Sequence, residues 1–290
     1  LPSAEVVPDR EAYSSDLLWR LDELGFRRAI LVDTTAPGSG TGPVLAGMRR
    51  AGCDVVLANR EPLAGSGGTY DLLTRAGRGR LRWGATLPPG LPLQEAIRRA
   101  TRGADRLRSI VCAPSGALGW ILDALVRGSR FSTAVREAQL RGLLHSDPRE
   151  DLSGRDARRL ALLLARAAGW PLEADCLGSE GLVPDVADRL PPGIVLDHLT
   201  DLDTYYADRV RRAGKRGAVL RYVVRMGPHG GTAGLEELPS DDVCARALEG
   251  DTVFAFYTEH GGNHPVVLQG PAGGADATAA SLFSDIVSLL

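Results

Sequence analysis

The chain predicts an α/β fold, and two contrasts along it carry that expectation. In the first half, short apolar runs rich in β-branched residues alternate with helical patterns, as in a parallel sheet covered by crossover helices. In the second half, runs separated by Gly-rich turns read as antiparallel strands. Between them lies a stretch rich in Gly, Pro and acids, 169–192, that reads as a connection between two lobes.

The elements follow in order. AILVD, 29–33, reads as a fully buried strand, 44–51 as a short helix, DVVLA at 54–58 as a second strand, and 68–76 as a helix. A third strand is expected over 81–86. The segments 95–101, 107–112, 118–126 and 131–141 continue the α/β pattern, and Ser153 is a good N-cap for a helix over 154–168. Beyond the break, 199–213 is helical, and strands are expected at 218–226, 232–237, 252–257 and 265–269. A last helix runs over 276–289, with Asp276 able to cap it.

Bulk properties narrow the function classes. With 290 residues and 44% hydrophobic content the chain can bury one large core or two modest ones. A net charge of −2 gives no electrostatic reason to expect nucleic acid, and no apolar run is long enough to span a membrane. The cysteines, Cys53, Cys112, Cys176 and Cys244, are widely spaced, so buried thiols in a reducing cytoplasm are expected and no zinc pattern is present. Lys215 is the only lysine among 34 basic residues, so ammonium proton donors are nearly absent.

Several motifs attract attention and most weaken on inspection. Gly38, Gly40 and Gly42 lie between a strand and a helix, but the third glycine falls a position early and Asn59–Arg60 stand where an acid would be needed to complete a dinucleotide fingerprint. A flexible strand-to-helix turn explains them. His260 and His264 have helical ligand spacing, yet Gly261, Gly262 and Asn263 between them make a turn the better reading, and no metal site is expected. Ser115 lacks a G-x-S-x-G frame and reads as an N-cap. The stretch 142–159, GLLHSDPREDLSGRDARR, is the most informative: Asp147, Asp151 and Asp156 run into an amphipathic helix, with Pro148 fixing one φ and His145 among the acids. From spacing alone, a solvated capping loop is the more common outcome.

Read together, ILVDTT, DVVLANREPLA, GATLPPGLPLQEAI, SGALGWILDAL, the 142–159 stretch, AVLRYV, FAFYTE and GPAGGADATAASLF resemble the homoserine dehydrogenase family, most of all the dehydrogenase half of the bifunctional aspartokinase/homoserine dehydrogenases. The family segment G-Y-x-E-P-D-P-x-x-D-L-x-G-x-D-x-x-R-K is met at Gly142, Asp147, Pro148, Asp151, Leu152, Gly154, Asp156 and Arg158. The resemblance implies reversible hydride transfer between NAD(P) and aspartate semialdehyde, with acids holding the substrate amine and a lysine donating a proton. It implies a partial Rossmann-like parallel sheet, from 1–86 with 270–290, packed on an α+β substrate and dimerisation domain, 87–269, with an open antiparallel sheet. Asp147, Asp151, Asp156 and Gly116 are then expected to bind substrate, and Thr34, Asn59, Gly90 and Gly274 to lie beside any cofactor.

The resemblance also exposes departures. The glutamate opening E-P-D-P is His145, the lysine of the family's A-N-K segment is Arg60, and the lysine closing the motif is placed at Arg159. These three are the expected chemical positions, although a guanidinium is a poor proton donor near neutral pH. The Gly-rich turn before G-L-P is Pro88–Pro89, and a glutamate that helps hold a monovalent cation in relatives is Gly84. The strand and G-x-G-x-x-G turn that open the family upstream of ILVDTT are not in this sequence. The expectation is therefore a divergent protein that binds a homoserine-like or aspartate-semialdehyde-like amino acid, with altered or lost redox chemistry and no assured cofactor. It is expected to be a homodimer by resemblance, with a possible protein partner completing the nucleotide domain. The alternatives are a conventional dehydrogenase, if the chain is a fragment, or a non-catalytic assembly subunit.

Overall fold

A computed structural model describes residues 19–20, 23, 29–36, 38–75, 77–103, 105–184, 192–247, 250–271 and 273–290. The chain divides into two units, Leu1–Pro89 with Ala275–Leu290, and Gly90–Gly274.

In the first unit, β1 (Ile30–Asp33), β2 (Asp54–Leu57) and β3 (Leu81–Arg82) form a parallel sheet in that order. Val55, Val56 and Leu57 on the central strand are wholly buried, which suits their β-branched, apolar run. The edge strand differs from its sequence-based expectation: Val32 is 38% exposed and Ile30 and Leu31 are half-buried. An apolar run signals a strand but not its place in the sheet, and among the described residues β1 pairs with β2 alone. Helix α1 (Gly42–Ala51) starts with Pro43 in its first turn and stops at Gly52, whose φ of 105° is left-handed. Two further helices, α2 (Glu61–Ala64) and α3 (Gly67–Thr74), follow, the latter capped by Ser66 Oγ accepting from Thr69 N–H.

The third strand ends at Arg82, short of the expected 81–86, and a 3-10 turn covers Gly84–Thr86. The reason is a competing partner: Gly84 N–H donates to Asp285 Oδ2 at 2.8 Å rather than to a strand. Asp285 lies on the C-terminal helix (Ala275–Val287). Arg80 secures the same end. It forks onto buried Asp54, with Nη2 to Oδ2 at 2.8 Å, and also donates to the Leu289 carbonyl.

The second unit is built on a six-stranded sheet in the order β5-β7-β6-β4-β8-β9. Its strands are β4 (Leu107–Ala113), β5 (Leu177–Ser179), β6 (Ala218–Gly227), β7 (Gly230–Pro239), β8 (Asp251–Thr258) and β9 (Val266–Pro271). β4 pairs antiparallel with both β6 and β8, so the segment expected to continue the α/β pattern belongs instead to the antiparallel sheet. Periodicity identifies a strand without fixing its partner. The connection expected over 169–192 contains β5, paired parallel with β7, while 185–191 lie outside the described residues. The helices are α4 (Leu93–Arg102), α5 (Gly116–Val126), α6 (Phe131–Leu140), α7 (Arg149–Leu152), α8 (Arg155–Ala167), α9 (Pro192–His198) and α10 (Asp203–Lys215). α8 is the amphipathic helix read from the sequence: Leu160 to Ala165 are buried, and α8 packs on β5 and β6. Phe131 stacks on Tyr206 with centroids 4.1 Å apart, joining α6 to α10.

Candidate active site

The loop that the sequence singles out is shaped by two glycines and one proline. Gly142, at φ 69°, turns the chain out of α6. Pro148 precedes α7, and Asp147 stabilises that helix start by accepting from Arg149 N–H at 3.0 Å. The same carboxylate receives the Arg149 guanidinium, with Nη2 2.5 Å from Oδ2. Those hydrogen bonds from Arg149 hold the Asp147 carboxyl below its ordinary pKa against the opposing effect of partial burial. Asp147 is thus engaged in shaping the loop.

The turn between α7 and α8 departs from expectation. Ser153 does not cap α8; its hydroxyl donates back to the Arg149 carbonyl at 2.6 Å. The N-cap is Gly154, at φ 76°. A Cβ there would overlap the Tyr222 hydroxyl, which donates to the Glu180 carbonyl at 3.0 Å. Burial pushes the Tyr222 phenol above its usual pKa, so it remains a donor.

These constraints bring His145, Asp151 and Asp156 together. One ligand-capable atom from each lies within 4.8 Å of the other two, and among the described residues this is the group that could hold a metal ion. Asp151 is 6% exposed. Its Oδ2 accepts from the His145 backbone N–H at 2.8 Å and lies 3.0 Å from the ring Nδ1. A carboxylate only accepts, so Nδ1 carries the proton of that contact. The sequence anticipated these residues as a cluster but no metal ligands among them. Their donor set, one imidazole and two carboxylates, suits a divalent cation or an ammonium.

The expected arginines are placed differently. Arg159 pairs with Glu150, as does Arg155 at 3.1 Å. Glu150 was missed by sequence reasoning, although its placement five and nine residues before two arginines across a helix junction was a usable signal. The motif register also needs correction: counted position by position from Gly142, its arginine falls on Arg159, not Arg158, and its closing lysine on Leu160. Leu160 is 2% exposed. A one-residue shift on a helix turns a side chain by about 100°, which is why the distinction matters. Gly116 opens α5 behind Ser115, whose Oγ accepts from Leu118 N–H at 3.2 Å as an N-cap.

Arg60, Thr34 and Asn59 belong to the first unit, at the carboxyl ends of β1 and β2, where open α/β sheets present their ligand sites. Arg60 is the residue before α2. Asn59 Nδ2 donates to Thr35 Oγ1 at 3.2 Å, and Asp33 accepts from Thr35 and Thr41 hydroxyls at 2.6 and 3.0 Å. As a pyrophosphate cradle the Gly38–Gly42 turn fits poorly, because Gly38 N–H already donates to the Glu61 carboxylate, an anion in the place a phosphate would need. Gly90 and Gly274, at φ 83° and 132°, open and close the second unit. His260 and His264 sit in and beside the turn expected for them. His260 N–H and Nδ1 lie 3.0 and 2.9 Å from Asp105 Oδ1. The Thr258 hydroxyl and then His260 N–H hold that carboxyl well below the usual range.

Comparison with known proteins agrees with the motif. The homoserine dehydrogenase family model matches residues 92–287. The chain is 34% identical to the bifunctional aspartokinase/homoserine dehydrogenase 2 of Escherichia coli over 81% of its own length and 30% of that protein's. It is 28% identical to the homoserine dehydrogenase of Emericella nidulans, over 91% of itself and 76% of the relative. It therefore spans about a third of the bifunctional relatives. Among solved structures, a Candida auris protein of unknown function is 26% identical with a TM-score of 0.84, covering all of this chain and 82% of that one. A hyperthermophilic archaeal homoserine dehydrogenase in complex with NADPH shares the fold, with a TM-score of 0.70 at 20% identity, over all of this chain and 77% of its own. With the matched family segment spanning most of the second unit and the motif residues gathered in one loop, the chain belongs to the homoserine dehydrogenase family.

Proposed function

We propose that this protein binds a homoserine-like or aspartate-semialdehyde-like amino acid at the His145–Asp151–Asp156 cluster, and that His145 takes over the acid/base role. The observation that carries this reading is the Asp151 carboxylate, buried and accepting from both the backbone and the ring of His145. That contact fixes the tautomer and aims Nε2 away from Asp151. The residues at the family's two lysine positions are Arg60 and Leu160, and neither can release a proton near neutral pH. Asp156 and Asp151 are the groups suited to a substrate ammonium.

The acid/base role proposed for His145 needs no hydride step. NAD(P)-dependent hydride transfer is the second reading, favoured by the hydroxyl and amide groups of Thr35, Ser39 and Asn59 at the strand ends and by the NADPH-bound neighbour. Fluorescence titration separates the two. Titration with NADPH and NADH is expected to show no saturable binding, and micromolar binding would return the redox reading. A thermal-shift panel of amino acids with oxygenated side chains is expected to find a stabiliser that Asp156→Asn loses. A panel without any stabiliser, together with a stable co-purifying protein, would favour an assembly role instead.

A further inference from the structure

Asp151 is a buried carboxylate with only one oxygen engaged. It is 6% exposed, Oδ2 accepts from the His145 N–H and stands 3.0 Å from the ring Nδ1, and Oδ1 accepts from no group among the described residues. The arginines of the same stretch go elsewhere: Arg149 to Asp147, and Arg155 and Arg159 to Glu150. A carboxylate taken out of water is costly unless a positive partner completes its surroundings, so Oδ1 calls for a cation that this loop does not itself supply.

Two further ligands stand beside it. Asp156, in the first turn of α8, and His145 each place one donor atom within 4.8 Å of the others. The 3.0 Å between Nδ1 and Oδ2 is the spacing of two adjacent ligands that each lie about 2.1 Å from one ion and subtend a right angle there. Those two atoms can therefore share a metal ion in place of the proton they share otherwise. Opposite ligands of such an ion stand about 4.2 Å apart, so at most a modest side-chain rotation of Asp156 closes the set. An ammonium suits the three together less well, because the ring N–H meets it with a donor rather than an acceptor.

The scaffold keeps the ligands apart and in place. Gly154, at φ 76°, sets the turn between the two aspartates, with the Tyr222 hydroxyl against it. Leu152, next to Asp151, is tied by its carbonyl to Leu182 N–H at 2.6 Å. The donors also select the ion. Two carboxylates balance a charge of +2, and an imidazole nitrogen favours a first-row transition metal or zinc over Mg²⁺ and Ca²⁺, which take oxygen ligands.

We propose that His145, Asp151 and Asp156 form a binding site for a first-row divalent metal ion, held by His145 Nδ1 and one oxygen from each carboxylate. Three protein ligands leave positions open to water or a substrate, as catalytic rather than closed structural sites do. The inference goes beyond the functional reading and does not rest on it, since the ion is expected on protein free of any amino acid. A thermal-shift panel without an amino-acid stabiliser would therefore sink that reading and leave the ion site standing.

Mn²⁺ is the probe, titrated into the untagged whole chain, because the electron paramagnetic resonance signal of the free ion is lost on binding. One ion per chain is expected, with a micromolar dissociation constant and with Mg²⁺ weaker by about tenfold or more. Nitrogen modulation in the pulsed spectrum of the bound ion should report the imidazole ligand. His145→Ala and Asp156→Asn should each weaken binding by about tenfold or more, and His145→Ala should also remove the nitrogen modulation. Both variants must keep the wild-type circular dichroism; His145→Gln serves if either does not fold. His260→Ala, which removes an exposed pair of similar make-up with Asp105, should change nothing. Absence of bound Mn²⁺ at millimolar ion overturns the proposal. So does binding that His145→Ala leaves intact or His260→Ala removes, since the ion would then lie elsewhere, and so does a bound ion without nitrogen modulation.

Discussion

Asp151 and Asp147 stand four residues apart and do different work. Asp151 orients an imidazole, whereas Asp147 holds Arg149 and the start of α7. Because the Asp147 pKa is depressed by its bonds to Arg149, its contribution to stability is complete above its unfolded value near 4 and is lost as pH falls through the depressed one. Melting temperature followed from pH 6 to pH 2 should therefore fall less steeply in Asp147→Asn than in the wild type; equal slopes would dissociate Asp147 from acid unfolding. Gly154 allows a sharper test. Alanine there must adopt φ 76° and overlap the Tyr222 hydroxyl, and about 2–4 kcal/mol is expected to be lost in denaturant titration. Tyr222→Phe removes the obstructing oxygen, so the double variant should be more stable than the sum of the single losses predicts.

At the scale of elements, the α7–α8 junction is tied by Glu150, which receives both Arg155 and Arg159. Replacing Glu150 with alanine leaves two partly buried guanidiniums without that partner, and a loss of about 1–3 kcal/mol is expected, against near-neutral behaviour for Glu137→Ala, whose pair with Arg141 is exposed. Urea denaturation of the two variants compares them directly. In the first unit's sheet, position in the strand order decides tolerance. Val32 lies on the edge strand and is partly exposed, whereas Val56, on the central strand, is fully buried. Val32→Lys should change stability by no more than about 0.5 kcal/mol, while Val56→Lys should prevent folding or cost several kcal/mol. A large loss for Val32→Lys would mean that this face is covered.

Over the whole molecule, thiol chemistry reports how completely the core excludes reagent. Cys53, Cys112 and Cys244 are buried, and Cys176 is exposed. Burial raises the Cys112 and Cys53 thiols and pushes Cys244 up to about 12, so thiolate is scarce at all three. Native protein should react with a disulfide reagent at Cys176 alone, all four cysteines should react in denaturant, and Cys176→Ser should silence the native reaction. Rapid native labelling at Cys244 would show that the β4–β6–β8 core opens. No helix among the described residues is long and apolar enough to cross a membrane.

The sequence by itself determined the family, the α/β class and the loop on which the chemistry is argued. These are local: alternation along a strand, spacing along a helix and an ordered string of residues around Asp151 and Asp156 are all properties of neighbours in the chain. Tertiary structure decided what depends on residues far apart in sequence. It gave β4 antiparallel partners more than a hundred residues downstream, ended β3 through Asp285, and transferred the cap of α8 from Ser153 to Gly154 beneath Tyr222. It also bound Arg159 to Glu150, and tied the loop to the segment after β5 through Leu182 N–H, which donates to the Leu152 carbonyl. The physical reason is the same throughout. A hydrogen-bonding group or charge takes the partner that folding brings within reach, and the identity of that partner is set by packing, while periodicity records only which face is apolar.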